Sequence, residues 1–459
     1  MSKVEERSGI VNKMLQDAQP VVDLAKGGEN MRQRGTVYLP QFPQETEQDY
    51  KARKNSTWLF DGVGKAIEDM TGKIFEKPVH LQTQEGQLFE YAQNVDMEGR
   101  DLSNFARDVF EEAVKMGVSF IMADAPPRPG PLTVGQARAL NLRPYLVHVP
   151  LDQVLGWKWE SINNTPTLTQ FRMKETIPAP GRDRFSSDTV DQIRVLELVE
   201  GGRVLVELYR QDEQKKWVLA DEYLTEQTQI MVAPVYTGRT GFMTAKPPLA
   251  RLAELNLAHW RSQSDQANIM HHARAPMKYF HGYSQEDLQS FAEGPGYAFF
   301  TSNESASVGV IEHSGSAIEA GRTELKDLEQ QMQWVGLQLI MSRTGTNTAT
   351  GDAIDERKGN SRLAMWADNL KDALEIALDW MTQLGGFEAD TTVNVNKDFS
   401  TLAHMTMADV RDMFVQRAIT GQTYIREAQR RGVIAEDIDP TEEYEQALMG
   451  EVTDLTAQP

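Results

Sequence analysis

Two long segments that are compatible with helix flank a short insert of strand character, and this order constrains the fold more than any single motif. The run 249–272 contains neither proline nor glycine, so one helix of about 36 Å is allowed at 1.5 Å per residue. Pro276 ends it, and after the insert a second helix is predicted over about 317–341. We expect the two helices to run antiparallel, as a stalk with a small knob at its tip.

The second of these helices carries one apolar stripe. Its members recur at alternating spacings of three and four residues, which is a heptad seam and indicates one packing partner. The stem seam residues are Leu325, Leu328, Met332, Val335 and Leu339. A two-helix stalk exposes too much surface to stand alone, and identical stalks packed side by side in a ring would cover it.

The first half of the chain is predicted to be mixed α+β. Residues 1 to about 55 are polar and broken by glycine and proline, which predicts an extended arm with short helices. Helical spacing of apolar residues predicts helices over 56–76 and 102–117. An alternating pattern predicts strands at 118–124, 143–149, 154–159, 167–173, 193–199, 203–210 and 216–220.

The last third is predicted to be mostly helical, so that the fold class is α+β and mainly helical. A small polar segment at 343–352 has the composition of a mobile loop. A long helix follows over about 353–384 and ends at Gly385 and Gly386. A short strand at 391–395, helical structure over 405–431 and an acidic tail follow.

Composition excludes several classes of protein. The absence of cysteine excludes disulfides and thiolate metal sites. The net charge of −20 argues against a protein that grips nucleic acid, because phosphate binding needs basic patches. It is compatible with a conduit along which a polyanion slides, although solubility explains it as well. Since neither a signal peptide nor a long apolar stretch is evident, we expect a soluble, cytoplasmically made protein without membrane contact.

Motifs that would carry catalysis are weak. Adjacent His271 and His272, with His281, lack the spacing of a zinc site, because neighbouring residues point to different sides of a helix. The stretch 61–66 superficially resembles a phosphate loop, but Leu59 and Ala66 occupy positions where that motif needs Gly and Ser or Thr, so a helix start is predicted. No pair of carboxylates stands out for acid–base chemistry. We therefore expect no catalytic residues, no metal and no cofactor.

Several short stretches together resemble a known family. They are GKIF with KP at 72–78, LNLAHWRS at 255–262, SDQ at 264–266, RAP at 274–276, VIEHSG at 310–315 and AIEAG at 317–321. In combination they resemble the portal proteins of tailed bacteriophages, in particular a portal-group family known as a domain of unknown function. The resemblance extends over residues 35 to 420.

The resemblance implies a portal-type map of the chain, in order from the N-terminus. It comprises the N-terminal arm and α+β wing at 1–246, the first stem helix at 247–273, the clip at 274–316, the second stem helix at 317–342, the channel loop at 343–352, the long wing helix at 353–400, and the crown with the acidic tail at 401–459. The channel loop would approach DNA through Arg343, Thr344, Thr346, Asn347, Thr348 and Thr350, since Arg pairs with phosphate and hydroxyls and amides donate weakly. The alternative is a solvated loop without a partner.

The function implied is structural rather than enzymatic. Portal proteins form a dodecameric DNA channel at the unique capsid vertex, for genome packaging, head–tail joining and DNA ejection. The implied partners are further copies of the chain, double-stranded DNA, the terminase large subunit, the major capsid and scaffolding proteins and a head–tail adaptor, in a virion assembled in the host cytoplasm. Two alternatives remain: another head–tail subunit such as an adaptor or minor capsid protein, and a metal-dependent nucleic-acid hydrolase, which would need clustered His and Asp ligands.

Overall fold

The computed structural model describes most of the chain and divides it into two compact units, Met1–Asp398 and Phe399–Pro459. The described residues are 3–126, 140–179, 185–274, 277–283, 303, 305–311, 315–335, 349–397, 407–417, 419–430, 433–435 and 438–455. The first unit contains both helices and strands, and the described part of the second unit is helical.

The first unit contains α-helices from both halves of the chain. They are α1 (Gly9–Ala25), α2 (Gly28–Arg34), α3 (Glu47–Ser56), α4 (Gly62–Ile74), α5 (Gly86–Ala92), α6 (Leu102–Met116), α7 (Ala250–Arg274), α8 (Ser316–Val335) and α9 (Ala349–Gly385). The prediction of two long helices flanking an insert is therefore confirmed, as is the long helix that follows them.

The strands of this unit form small antiparallel sheets. They are β1 (His80–Leu81), β2 (Val118–Asp124), β3 (Tyr145–Val149), β4 (Val154–Ile162), β5 (Thr165–Pro178), β6 (Thr189–Val199), β7 (Arg203–Gln211), β8 (Trp217–Leu224), β9 (Val232–Tyr236), β10 (Arg239–Gly241), β11 (Thr244–Ala245), β12 (Met277–His281), β13 (Ser307–Ile311) and β14 (Val393–Asn394). All seven predicted strands of the first half are present, and β9 was missed.

A three-stranded sheet in the order β3-β2-β9 forms the centre of the unit. β2 is buried over almost its whole length because α6 and α9 pack against it. Gly117 turns the chain from α6 into β2 with φ +87°, and a Cβ there would lie 2.4 Å from the carbonyl oxygen of Lys246. Only glycine fits this turn, so the junction between helix and sheet is fixed by one residue.

A five-stranded meander in the order β4-β5-β6-β7-β8 forms the second sheet. One of its faces joins the main core through side chains such as Phe171, Met173 and Val206. A buried cation links this sheet to β2, because the Arg194 guanidinium lies 2.5 Å from Asp124 Oδ2 and 2.8 Å from Glu175 Oε1. Burial alone would lower the pKa of Arg194, but these two carboxylates raise it, so the cation stays charged in the interior.

The N-terminal segment corrects one prediction. Instead of an extended arm, residues 9–25 form α1, which begins at Ser8, whose Oγ accepts a hydrogen bond from the backbone N–H of Val11. Its apolar stripe is fully buried at Val11, Ala18 and Val21 and packs against α4, α6 and α7. The polar residues between these positions, and Pro20 inside the helix, obscured the helical spacing in the sequence.

The second unit contains three helices in its described part, α10 (Met407–Val415), α11 (Gly421–Arg430) and α12 (Pro440–Leu455). Phe414 stacks on Tyr424 with ring centroids 5.1 Å apart and meets Tyr444 edge-on at 6.4 Å. The prediction that 405–431 is helical is confirmed for 407–415 and 421–430, and Arg417, with φ +59°, lies between these two helices because no α-helix continues through such a residue. Across the described residues of both units, the helices are too short or too polar to cross a membrane.

Candidate functional site

The helices α7 and α8 run alongside each other as an antiparallel pair, which we call the post. As the residue number rises along α7, its partner's number falls along α8: His259 meets Glu329, and Gln266 meets Ile318. Between them, Ser262 Oγ donates to Glu324 at 3.2 Å. α7 has 25 residues and is therefore about 37 Å long at the α-helical rise.

The tip of the post is a β-hairpin. β12 and β13 pair antiparallel, with Met277 opposite Ile311 and His281 opposite Ser307. The ring of Tyr279 lies directly over Gly309, where a Cβ would come within 2.3 Å of the ring atoms. A side chain at position 309 would therefore displace the Tyr279 ring, and glycine leaves room for the ring over the hairpin. The central residues of the predicted clip, 284–302, lie outside the described residues.

Close contact between the two helices of the post depends on a second glycine. A Cβ on Gly321 would lie 2.2 Å from Gln266 Oε1, so the Gln266 amide lies against the bare backbone of α8. The same amide donates through Nε2 to the carbonyl oxygen of Ile318 at 3.1 Å. Glycine inside a helix costs roughly 1 kcal/mol, and the close approach of the helices offsets that cost.

The base of the post is joined to the body by Asn256 on α7. This fully buried amide accepts from the backbone N–H of Val63 at 3.1 Å and donates to the carbonyl oxygen of Phe60 at 2.8 Å. It thereby satisfies one of the free N–H groups at the start of α4. Gly62 lies between Asn256 and Met332 of α8, since a Cβ there would be 3.2 Å and 3.3 Å from their side chains. Three elements therefore meet at one point.

His259 forms the next layer of the base. Its ring, almost completely buried, packs between Trp58 and Phe60, with centroid distances of 6.2 and 5.2 Å. Nε2 lies 3.4 Å from Glu329 Oε1 on α8. Burial lowers the pKa of His259, and the nearby Glu329 carboxylate only partly opposes that shift. The imidazole is thus held neutral at the junction of α7, α8 and the segment before α4.

An ion pair fixes the post at mid-height. Arg53 of α3 meets Glu45 through two hydrogen bonds of 2.7 and 2.8 Å, and both side chains are at most 8% exposed. Arg53 also donates to Ser264 Oγ on α7 at 3.2 Å and to the carbonyl oxygen of Pro40. The hydrogen bonds from Arg53 hold the pKa of Glu45 below its usual range. Because the pair is buried, its partners are mutually necessary.

The predicted stem seam lies along α8, which packs against α7, and the chain itself covers the seam in part. Met332 is buried against Gly62 and Asn256, whereas Leu325, Leu328 and Val335 remain partly exposed. Trp334, one residue before the described end of α8, is 53% exposed. Leu339 lies outside the described residues. The assignment of the seam to contacts between copies remains a prediction.

The predicted channel loop is only partly visible. Arg343, Thr344, Thr346, Asn347 and Thr348 lie outside the described residues, while Thr350 lies in the first turn of α9, which begins at Ala349. The helix therefore starts four residues before the predicted position. Gly351 and the Thr and Asn residues before it had pointed to a loop, but the acidic and helix-favouring residues that follow Gly351 support a helix.

Two weak motifs of the sequence can be located in the structure. Among the residues that the structure describes, no three His, Asp or Glu side chains cluster closely enough to hold a metal ion. The stretch that superficially resembled a phosphate loop is the start of α4, as predicted, with Asp61 Oδ1 accepting from the backbone N–H of Gly64. Asn256, His259 and Arg53, which fix the post to the body, had no predicted role. Asn256 and His259 lie in the stretch 255–262 that carried the resemblance, whereas Arg53 lies in the polar helix α3 and gave no sequence signal.

A family model and two solved structures are similar to this chain. The model of a domain of unknown function, DUF4055, matches residues 248–384, which span the post, its tip and most of α9. No curated protein matches the sequence. One similar chain comes from the neck of a native GTA particle computed with C12 symmetry, at 10% identity and a TM-score of 0.41, covering 78% of this chain and 86% of that one.

A second similar chain comes from the neck of an empty GTA particle computed with C6 symmetry. It is 12% identical with a TM-score of 0.40, and the match covers 85% of this chain and 90% of that one. These are distant likenesses of fold. What this chain shares with the DUF4055 family is the segment that contains the post, and that segment is its candidate functional site.

Proposed function

We propose that this chain is the portal subunit of a tailed-phage-type particle and that its copies form a ring around a DNA channel. The observation that supports this most is the post, which is fixed at its base by buried contacts and keeps partly exposed apolar side chains along α8. A pair of helices that projects from a body with part of its apolar surface exposed is stabilised when equivalent posts pack beside it.

Burial along α8 supports contacts between copies. Of the four seam residues in the described part of α8, only Met332 is buried by the chain itself, at 1% exposure. The other three would gain apolar contact from a neighbour, at roughly 25 cal/mol for each Å² removed from water. The remaining faces of α8 carry charged residues, among them Glu319, Arg322 and Lys326, and these can stay in solvent.

The remaining parts of the chain take the portal roles that the resemblance implies. The hairpin tip, farthest along the post from its base, is the element we assign to the terminase large subunit and later the head–tail adaptor. The segment 343–348, between α8 and α9, is the part we assign to DNA. With a net charge of −20, the assembled wall would repel DNA and let it slide rather than hold it.

An alternative of the same structural class is a head–tail adaptor or minor capsid protein. That alternative predicts a chain without a long post, whereas α7 and α8 here have 25 and 20 residues. The post therefore favours the portal over the adaptor.

Native mass spectrometry with negative-stain imaging of the purified chain tests the proposal. Twelve copies of the 51.7 kDa chain amount to 620.4 kDa, and we expect rings near that mass with a central hole. A folded chain that stays monomeric at micromolar concentration would contradict the proposal.

A matched pair of variants tests whether α8 carries the contact. Leu328→Asp places a charge in the seam and should abolish rings, because that charge would be buried between copies. Gln330→Asp adds the same charge to an exposed position on the same helix and should leave the rings intact. If the two variants form rings to the same extent, the seam is not part of the contact between copies.

A further inference from the structure

The five-stranded sheet has an open edge at β8. Within the described residues, no strand pairs with its outer side, and most of its eight residues are exposed on both faces. Val218, Leu219 and Leu224 are 43–45% exposed. Proteins normally shorten, twist or cover such an edge, because it offers free backbone groups to another strand.

The opposite edge, β4, is half covered by the chain's own N-terminus. The backbone N–H of Ser8 donates to the carbonyl oxygen of Leu155 at 2.7 Å, and Arg7 donates to the carbonyl oxygens of Asp152 and Val154. This cover stops at Leu155. The second half of the strand, 157–162, has no such cover in the described part of the chain, and Trp159 and Ile162 are 49% and 40% exposed.

The two edges carry complementary charge on one face of the sheet. Glu207 lies directly opposite Glu222 of β8, and Glu197 of β6 lies diagonally beside Glu207, so three carboxylates form a row that ends at the β8 edge. Like charges placed opposite each other destabilise a sheet. At the other edge, Lys158 lies on that same face, since it is opposite Gln170, which is opposite Glu197. Lys158 is exposed and forms no ion pair among the described residues.

The direction of the strands also fits a repeated contact. Because neighbouring strands are antiparallel and the order is β4-β5-β6-β7-β8, the two edge strands point the same way. A rotation about one axis therefore brings β8 of one copy beside β4 of the next in parallel. Such a head-to-tail contact uses two different surfaces and repeats until a ring closes.

We propose that the sheet continues from one copy of this chain into the next, with β8 pairing in parallel with residues 157–161 of the neighbour's β4 and Glu222 lying beside the neighbour's Lys158. The inference rests on the proposed ring and adds to it a second contact, far along the chain from the post. The Lys158 ammonium group of the neighbouring copy then lies at the end of the row of carboxylates.

Cysteine cross-linking tests this pairing, and the chain contains no cysteine of its own. Lys158→Cys combined with Glu222→Cys places two thiols on adjacent strands, within the Cα separation that a disulfide spans. Mild oxidation should give a covalent ladder on a non-reducing gel, up to the number of copies in the ring. Lys158→Cys with Glu213→Cys, in the exposed turn before β8, is the matched control and should give no ladder.

The outcomes separate this contact from the ring itself. Rings in native mass spectra without a ladder overturn the edge pairing and leave the ring standing. A chain that forms no oligomer overturns both. Covalent dimers from Glu222→Cys alone overturn the pairing in favour of a two-fold contact between β8 strands.

Charge reversal tests the contact between Lys158 and Glu222 independently of cross-linking. Lys158→Glu or Glu222→Lys should each weaken assembly about fivefold, as expected for one exposed charge pair turned repulsive, and the double variant should restore it. The thermal unfolding of the monomeric chain should not change in Lys158→Glu. It should rise slightly in the two variants that carry Glu222→Lys, because the repulsion between Glu207 and Glu222 is replaced by attraction. Single reversals without effect on assembly, or a double variant no better than either single one, would overturn the contact.

Discussion

The contacts that join the post to the body and those on the outward side of α8 differ in how deeply they are buried. Asn256 and His259 at the base and Arg53 at mid-height are buried, and their polar contacts reach backbone and side chains far away in the sequence. The outward side of α8, by contrast, has exposed contacts, as in the pair Ser262 and Glu324. The comparison indicates that contacts within one chain fix the position of the post. Under the proposed function, its outer surface is available for contacts with neighbouring copies.

The largest effect is expected at the Arg53–Glu45 pair. Arg53→Ala leaves Glu45 buried without its cation, which costs about 3–5 kcal/mol of folding free energy. Urea denaturation of the Leu328→Asp chain, a monomer under the proposal, measures this without interference from assembly. The double variant Arg53→Ala with Glu45→Ala should lose less than the single one; a larger loss would contradict the assignment of this pair as mutually necessary.

A smaller effect is expected at Asn256. Asn256→Ala leaves the N–H of Val63 and the carbonyl of Phe60 buried without partners, at about 1–3 kcal/mol for each lost group. Hydrogen exchange should show faster opening at the start of α4, with little change in β2. If exchange at Val63 is unaltered, Asn256 does not hold α4 to the post.

The pH dependence of stability sharpens the comparison further. Since burial lowers the pKa of His259 below its ordinary value of 6.5, the unfolded chain takes up a proton at this residue first as the pH falls. The stability contributed by neutral His259 is present above pH 6.5 and is lost as the pH falls below it. Between pH 7.5 and 5.5 the loss should be at most about 1.4 kcal/mol, the value of one pH unit of unequal protonation.

His259→Phe keeps a ring between Trp58 and Phe60 and removes the titration. Urea midpoints at the two pH values should therefore differ less in this variant than in the natural chain. His148, whose pKa burial lowers to about 4, contributes to the same acid loss and remains in both proteins. An unchanged difference between the two pH values would assign the whole effect to groups other than His259.

The smallest effect is expected on the outer surface of the post. Ser262→Ala removes an exposed hydrogen bond to Glu324, and we expect a change within about 0.5 kcal/mol in thermal unfolding. If Ser262→Ala lost as much stability as Asn256→Ala, the buried base and the exposed surface of the post would not differ in their contribution to stability.

Sequence patterns predicted the parts of the fold that depend on local spacing. The run without proline or glycine predicted α7, and segments of strand character predicted the strands of the three-stranded and five-stranded sheets except β9. What the patterns missed depends on distant contacts: the Asn256 bond to Phe60 joins residues 196 positions apart. α1 was missed for a related reason, since its buried Asp23 looks like a surface residue until Arg34 and Tyr38 are seen to bond to it.

The sequence predicted where the candidate site lies along the chain, but not the contacts that hold its helices together. Heptad spacing located the seam on α8, but nothing local indicates that Gly321 lies against Gln266 or that Gly62 lies against Met332. Such close approaches are set by the crossing of two helices, which no window of sequence contains.

The burial of α1 has a consequence for synthesis of the chain. Its apolar stripe packs against α7, which the ribosome makes more than 200 residues later. Until then Val11, Ala18 and Val21 lack part of their cover, and contacts between such distant segments form slowly. A nascent chain stalled before α7 would thus expose the apolar stripe of α1 to chaperones, because α1 leaves the ribosome long before this packing partner is made.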